Sequence, residues 1–146
     1  MSAQVVRMKF NDLTKYQQEL YVAKVFMCKD KNARRRGIEN KLTLSTIKKL
    51  LKSETCYFLG IPLFLDLIID EDNDYLSGTA EQEEDSFSID RIDPRKGYVS
   101  GNVVACSFKA NQLKEKYEHS LFSNEIDDDI RVLTTILASG KFKFKK

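Results

Sequence analysis

Asp90, Asn102 and Asn111 are the residues whose types and spacing bear on chemistry. They fall within one stretch, SIDRIDPRKGYVSGNVVACSFKAN, residues 88–111. A carboxylate oxygen and an amide oxygen are hard donors. Together with water and phosphate oxygens they suit Mg²⁺ or Mn²⁺, and they suit zinc poorly. Asp90 is followed by Arg91, whose guanidinium stays charged and cannot accept a proton near neutrality. It suits binding a phosphate or steadying charge that grows on one. Asn102 follows Gly101, where its amide can bridge a turn. The same residues have a plainer reading. Asp90, Asp93 and Asn102 are common turn formers, and Asn111 suits the solvent face of a helix.

The elements that would position these side chains follow from pattern. SFSIDRI alternates as a strand and is stopped by Pro94; RKGY is a turn; GNVVACS is a return strand. A helix is predicted from about Ser107 to about His119. A hairpin that packs on its own following helix brings Asp90 and Asn111 to one place.

Upstream, Leu13, Tyr16, Leu20, Ala23 and Met27 recur every three or four residues. The spacing predicts an amphipathic helix from Asp12 to about Arg36, with Arg34, Arg35 and Arg36 in the last turn and Gly37 as its stop. Thr43 is the expected cap of a second, short helix carrying Leu44, Ile47, Leu50 and Leu51. CYFLGIPLFLDLIID leans towards strand, with a turn at Gly60 and Pro62. The acidic segment of about 70–85 reads as an exposed loop. Ser123 is the expected cap of a last helix over about 123–139, with a basic tail at 140–146. The fold class expected is α+β.

The chain has 146 residues, a length that suits one domain. Three widely spaced cysteines, Cys28, Cys56 and Cys106, read as reduced thiols and imply an intracellular protein. No signal peptide or membrane-spanning run is expected. A net charge of +2 hides an asymmetry: residues 1–53 hold thirteen Lys/Arg against four Asp/Glu, and residues 54–90 hold eleven Asp/Glu and no Lys/Arg. The basic part, a helical region over 1–55, points to an anionic partner, nucleic acid before membrane. The alternative is a solvated helix face.

Residues 88–114 resemble the core of the HNH endonucleases, also called ββα-metal or His-Me finger nucleases. The resemblance is to a phage-type branch with the signature S-x-D-R-I-D, G-Y, G-N-V and N-x-x-K. It is carried here by Ser88, Asp90, Arg91, Ile92, Asp93, Gly97, Tyr98, Gly101, Asn102, Val103, Asn111 and Lys114. NARRRGIENKLTLSTIKKLL and CYFLGIPL also resemble that branch's lead-in, so the likeness covers about residues 20–120.

The resemblance implies a ββα core at about 86–119, wrapped by N- and C-terminal helices. It implies that Asp90 and Asn111 bind the catalytic Mg²⁺ or Mn²⁺, and that Asn102 braces the loop. Arg91 stands where most of the family has the histidine that activates water. Relatives often hold a zinc with two Cys-x-x-Cys pairs. Here Cys56 is paired with Leu59, and Ser107 and Ala110 stand at the second pair, so no structural zinc is expected. The expected activity is metal-dependent DNA hydrolysis, of nicking or homing type, with Lys96, Lys109, Lys114, Lys116 and Arg34, Arg35 and Arg36 on DNA phosphates. No base-reading motif is present, so specificity is expected to be modest or supplied by a protein partner. The rival expectation is a protein of this fold that binds nucleic acid without cutting it.

Overall fold

The structure is a computed structural model and describes residues 3–70, 75–78, 82–122, 132, 133, 135, 136 and 138–140, with backbone alone at 3–4, 75, 77–78 and 117–122. It is α+β, in the order β1 (Ala3–Met8), α1 (Lys15–Arg36), α2 (Leu44–Leu51), β2 (Leu65–Asp70), β3 (Tyr75–Gly78), β4 (Phe87–Arg91), β5 (Val103–Ser107) and α3 (Phe108–Phe122), with a 3-10 turn at Phe10–Asp12. The chain divides into two compact units, Met1–Asn111 and Gln112–Lys146.

Local chemistry sets the boundaries in the first unit. Thr14 and Gln17 form a reciprocal capping box at the start of α1: Gln17 N–H donates to Thr14 Oγ1 (3.1 Å), and Thr14 N–H donates to Gln17 Oε1 (3.0 Å). Gly37, at φ +67°, ends the helix, and three arginines occupy the last turn. Thr43 caps α2 through Thr46 N–H. Ser107 caps α3 by accepting from Ala110 N–H (3.2 Å). The next orphan donors of α3 are met by carbonyls of the preceding segment, Phe108 N–H by Ser86 and Lys109 N–H by Glu84.

The strands form two sheets. β2 is the middle strand of an antiparallel β1–β2–β3 sheet, and β4 pairs antiparallel with β5. A single parallel bridge, Phe64 to Ser86, ties them. Ile47 and Leu51 of α2, Leu65 and Leu67 of β2, Leu76 and Ile89 form the buried centre with Val22 and Ala33 of α1. A second apolar cluster, Cys56, Leu63, Ala105, Cys106 and Ala110, gathers where β5 runs into α3.

Three sequence expectations change. β1 was not expected in the basic region and pairs with β2 along its whole length. Part of the acidic segment is strand rather than loop: β3 continues the sheet and buries Leu76 completely. The buried stripe of α1 is also rotated. Tyr16 and Met27 are exposed, whereas Gln17, Val22 and Ala33 are buried, with Tyr21, Val25 and Phe26 packed beside them. The expected C-terminal helix and basic tail lie largely outside the described residues; 132–133, 135–136 and 138 are helical.

Candidate metal and phosphate site

The site is built on the β4–β5 hairpin and the long loop, residues 92–102, that joins the strands. Asn102, 6% exposed, holds this loop closed. Its Oδ1 accepts from Asp93 N–H (2.9 Å), and its Nδ2 donates to the carbonyls of Asp93 (3.1 Å) and Gly97 (2.9 Å). That is the bracing role expected for it. The two glycines beside it are required. Gly101 has φ +82°, and a Cβ on Gly97 would stand 2.4 Å from the carbonyl oxygen of Glu39. This close approach lets residues 39–41 clamp the loop: Tyr98 N–H donates to Glu39 O (2.8 Å) and Lys41 N–H to Tyr98 O (2.9 Å).

Both outer edges of the hairpin are covered. In the antiparallel register Asp90 faces Val104 and Ile89 faces Ala105. Ile92 N–H donates to Asn102 O, so every second pair inward is hydrogen-bonded and Ile89 and Ala105 turn their backbone groups outward. Ala105 O accepts from Tyr57 N–H (2.9 Å), beside a Ser107 N–H···Sγ bond to Cys56 (3.2 Å). Burial raises the Cys56 thiol pKa, but the amides of Ser107, Leu59 and Phe58 and the Ser107 hydroxyl together draw it down. Cys56 and Cys106 are both buried, as small apolar residues. On the other edge, Ile89 O accepts from the Lys29 ammonium of α1 (3.2 Å).

Asp90 is 7% exposed, and its Oδ1 accepts from Arg91 N–H (2.8 Å). Ser88 lies on the same face of β4, about 6.6 Å along the strand. Asn111, from the first turn of α3, donates its Nδ2 to Ser88 Oγ (3.0 Å). The carboxylate and the amide are therefore presented to one face from two elements. Arg91 faces the opposite way from Asp90 along the strand, by the two-residue alternation. Its Nη1 donates to the carbonyls of Pro94 (2.8 Å) and Lys96 (3.0 Å). Its guanidinium carbon lies 5.3 Å from the centre of the Tyr98 ring.

Arg91, Arg95 and Lys96 line an open cleft of about 520 Å³ whose other wall is Gly37–Glu39. Arg34, Arg35 and Arg36 lead into that wall and are exposed, Arg34 paired with Asp30 (2.9 Å) and Arg35 hydrogen-bonded to Asn32. Lys109 is exposed and lies 3.7 Å from Glu84. Lys114 and Lys116 belong to the second unit.

The sequence reading missed Lys29. Its ammonium lies on the peptide between Ile89 and Asp90 and 5.4 Å from the centre of the Tyr98 ring. Burial lowers its pKa, and the Asp90 carboxylate works against that shift. The signal was a lysine on the stripe defined by Val22, Phe26 and Ala33.

Asp93 is a turn residue. Arg95 holds it through a two-pronged ion pair and a backbone N–H, which lower its pKa to about 2. A group that acidic is a weak proton acceptor. His119 has no described side chain.

The donor set around Asp90 fits a hard divalent cation whose coordination is completed by water and phosphate oxygens. The protein's share is one carboxylate and one amide. Among the described residues no three His, Cys, Asp or Glu side chains converge as a metal cage. Among them, too, no helix is long and apolar enough to cross a membrane. No protein-family model, curated protein or solved structure matches the chain.

Proposed function

We propose that the chain is a divalent-metal-dependent DNA endonuclease of the HNH type, with β4, β5 and α3 as its ββα core. The observation that carries this reading is the shared face of Asp90 and Asn111. The hairpin supplies a buried carboxylate, and the following helix supplies an amide tied one pleat away through Ser88. Asn102 and the two glycines hold the loop between them in one shape.

Asp90 and Asn111 would hold Mg²⁺ or Mn²⁺, which when bound supplies charge stabilisation at the leaving 3′ oxygen. The reaction is hydrolysis: a water oxygen bonds to phosphorus and the P–O3′ bond breaks. The water's proton passes to solvent and the 3′ oxygen takes one up. Arg91, in the cleft wall, binds the phosphate without serving as base. Arg34, Arg35, Arg36, Lys96 and Lys109 contact backbone phosphates and fix register without reading sequence; Lys114 and Lys116 extend that footprint. Specificity is modest or comes from a protein partner, and the setting is intracellular.

Two observations favour a second reading, a binder that does not cut. Arg91 Nη1 is occupied by two loop carbonyls, and Asp93 is too acidic to serve as base. Supercoiled plasmid with Mg²⁺, Mn²⁺ or EDTA separates the two. Metal-dependent nicking that falls at least ~10²-fold in both Asp90→Ala and Asn111→Ala supports the enzyme. Retardation of the plasmid without nicking, unchanged by either substitution, supports the binder.

A further inference from the structure

We infer that this site binds its metal ion far more tightly together with a DNA phosphate than alone, and that Lys29 sets that coupling. The inference rests on the nuclease reading and adds a rule for how metal and polynucleotide depend on one another.

The argument is one of charge. Asp90 is the carboxylate of the site, and two cationic side chains lie near it, Lys29 from α1 and Arg91 from the opposite face of the same strand. Lys29 places its ammonium on the Ile89 carbonyl at 3.2 Å, at the peptide that joins Ile89 to Asp90. Arg91 is the next residue along the strand. The Tyr98 ring gathers both, with Lys29 Nζ 5.4 Å and Arg91 Cζ 5.3 Å from its centre. Three nearby pairs offset one another, Asp93 with Arg95, Lys41 with Glu39 and Asp30 with Arg34, and Arg36 adds a further positive charge near Lys29. Asp90, Lys29 and Arg91 therefore sum to +1 before any ligand arrives. A divalent cation entering alone meets one carboxylate and two positive groups in partly buried surroundings, where their repulsion is poorly screened.

A phosphodiester reverses the balance. Its negative charge offsets one cation, and its oxygens supply ligands that Asp90 and Asn111 do not. Lys29 has a second feature suited to this. It lines the cleft between α1 and β4 with Lys24, Asn32 and Ser88, the residue to which Asn111 donates. Linkage then requires the coupling to be mutual: phosphate tightens metal binding, and metal tightens phosphate binding, by the same factor. Couplings of this kind are roughly 5- to 150-fold. Lys29 acts through Asp90 and the phosphate and is a positioning residue.

The test measures binding. Mn²⁺ is titrated calorimetrically into the full chain, with and without a short phosphorothioate duplex that resists hydrolysis. The expected result is weak Mn²⁺ binding by the free protein and binding at least ~10-fold tighter with the duplex. Lys29→Met keeps the apolar stem. It should tighten Mn²⁺ binding to the free protein several-fold and shrink the duplex effect, whereas Lys29→Arg, which keeps the charge, should preserve the effect. Asp90→Asn should abolish Mn²⁺ binding in every case. If Mn²⁺ binding depends on Asp90 but is indifferent to the duplex, or if Lys29→Met and Lys29→Arg have the same coupling, this inference fails while the nuclease reading stands. If no Mn²⁺ binds even with the duplex, both fail.

Discussion

Replacing Asn102 with alanine removes a side chain that closes the 92–102 loop. The change breaks three hydrogen bonds, one accepted by Oδ1 and two donated by Nδ2. The amide's orientation is fixed by this network: an oxygen must face Asp93 N–H, and an NH₂ must face the two carbonyls. Each lost bond costs about 1 kcal/mol where water can replace the partner and more where it cannot. Asp93 and Gly97 are half-buried, so the sum is about 3 kcal/mol. At this chain length, 146 residues, each kcal/mol lowers the melting temperature by roughly 3–4 °C, which gives about 10 °C in all. Asn102→Asp sharpens the test. Its carboxylate keeps the acceptor but sets negative charge against two carbonyl oxygens, so at neutral pH it should be no more stable than Asn102→Ala. The assay is calorimetric unfolding, with hydrogen exchange at the Asp93 amide as a local readout. A melting temperature for Asn102→Ala within about 2 °C of the parent would refute the bracing argument, since 2 °C is under 1 kcal/mol here. So would an Asn102→Asp variant as stable as the parent. The loss reaches the site as well, because the braced loop carries the Pro94 and Lys96 carbonyls that hold Arg91.

Gly97→Ala should lose about 2 kcal/mol, because its Cβ would lie 2.4 Å from Glu39 O and 2.8 Å from Glu39 Cβ and would push the 39–41 clamp off the loop. Urea unfolding should show a midpoint about 1 M lower at unchanged slope; an unchanged midpoint would show that the clamp yields freely. Asp93 titrates at about 2, chiefly through its hydrogen bond to the Arg95 side chain. A depressed carboxylate stabilises the fold above its unfolded pKa, near 4, and that contribution is lost as pH falls towards 2. Arg95→Ala should return the Asp93 pKa towards the ordinary 3.8. Carboxyl NMR titration reads it directly, and an unshifted value in the variant would mean that Arg95 is not the cause.

The hairpin was legible in the sequence because each of its signals is local. Alternation marks β4 and β5, Pro94 stops the first strand, and glycines stand where one backbone conformation or one close approach demands them. The cap at Thr43 and the stop at Gly37 were legible for the same reason. α1 was harder. Tyr16, Leu20, Tyr21, Val22, Ala23, Val25, Phe26 and Met27 spread apolar character over most of its circumference, so periodicity fits more than one face. The buried set also includes a residue that hydrophobicity does not register. Gln17 is buried because the capping box satisfies its side chain. β1 and β3 were missed because their meaning is non-local. AQVVRM becomes a strand only by pairing with residues 65–70, and Leu76 is a single apolar residue in acidic surroundings until β2 lies beside it. Lys29 was lost with the stripe.

The signature residues of residues 88–111 do two different jobs. Gly97, Gly101 and Asn102 build and close the loop, and each has a geometric reason in the backbone around it. Asp90, Arg91 and Asn111 are aimed, and what they are aimed at depends on α1 as much as on the hairpin. Tyr98 is fixed by Glu39 and Lys41, just beyond the last turn of that helix, and the Tyr98 ring in turn carries Lys29 and Arg91. The helix that ends in Arg34, Arg35 and Arg36 therefore also supplies the cation beside Asp90. Any force that tilts α1 bears on the loop through the 39–41 clamp and on the peptide before Asp90 through Lys29.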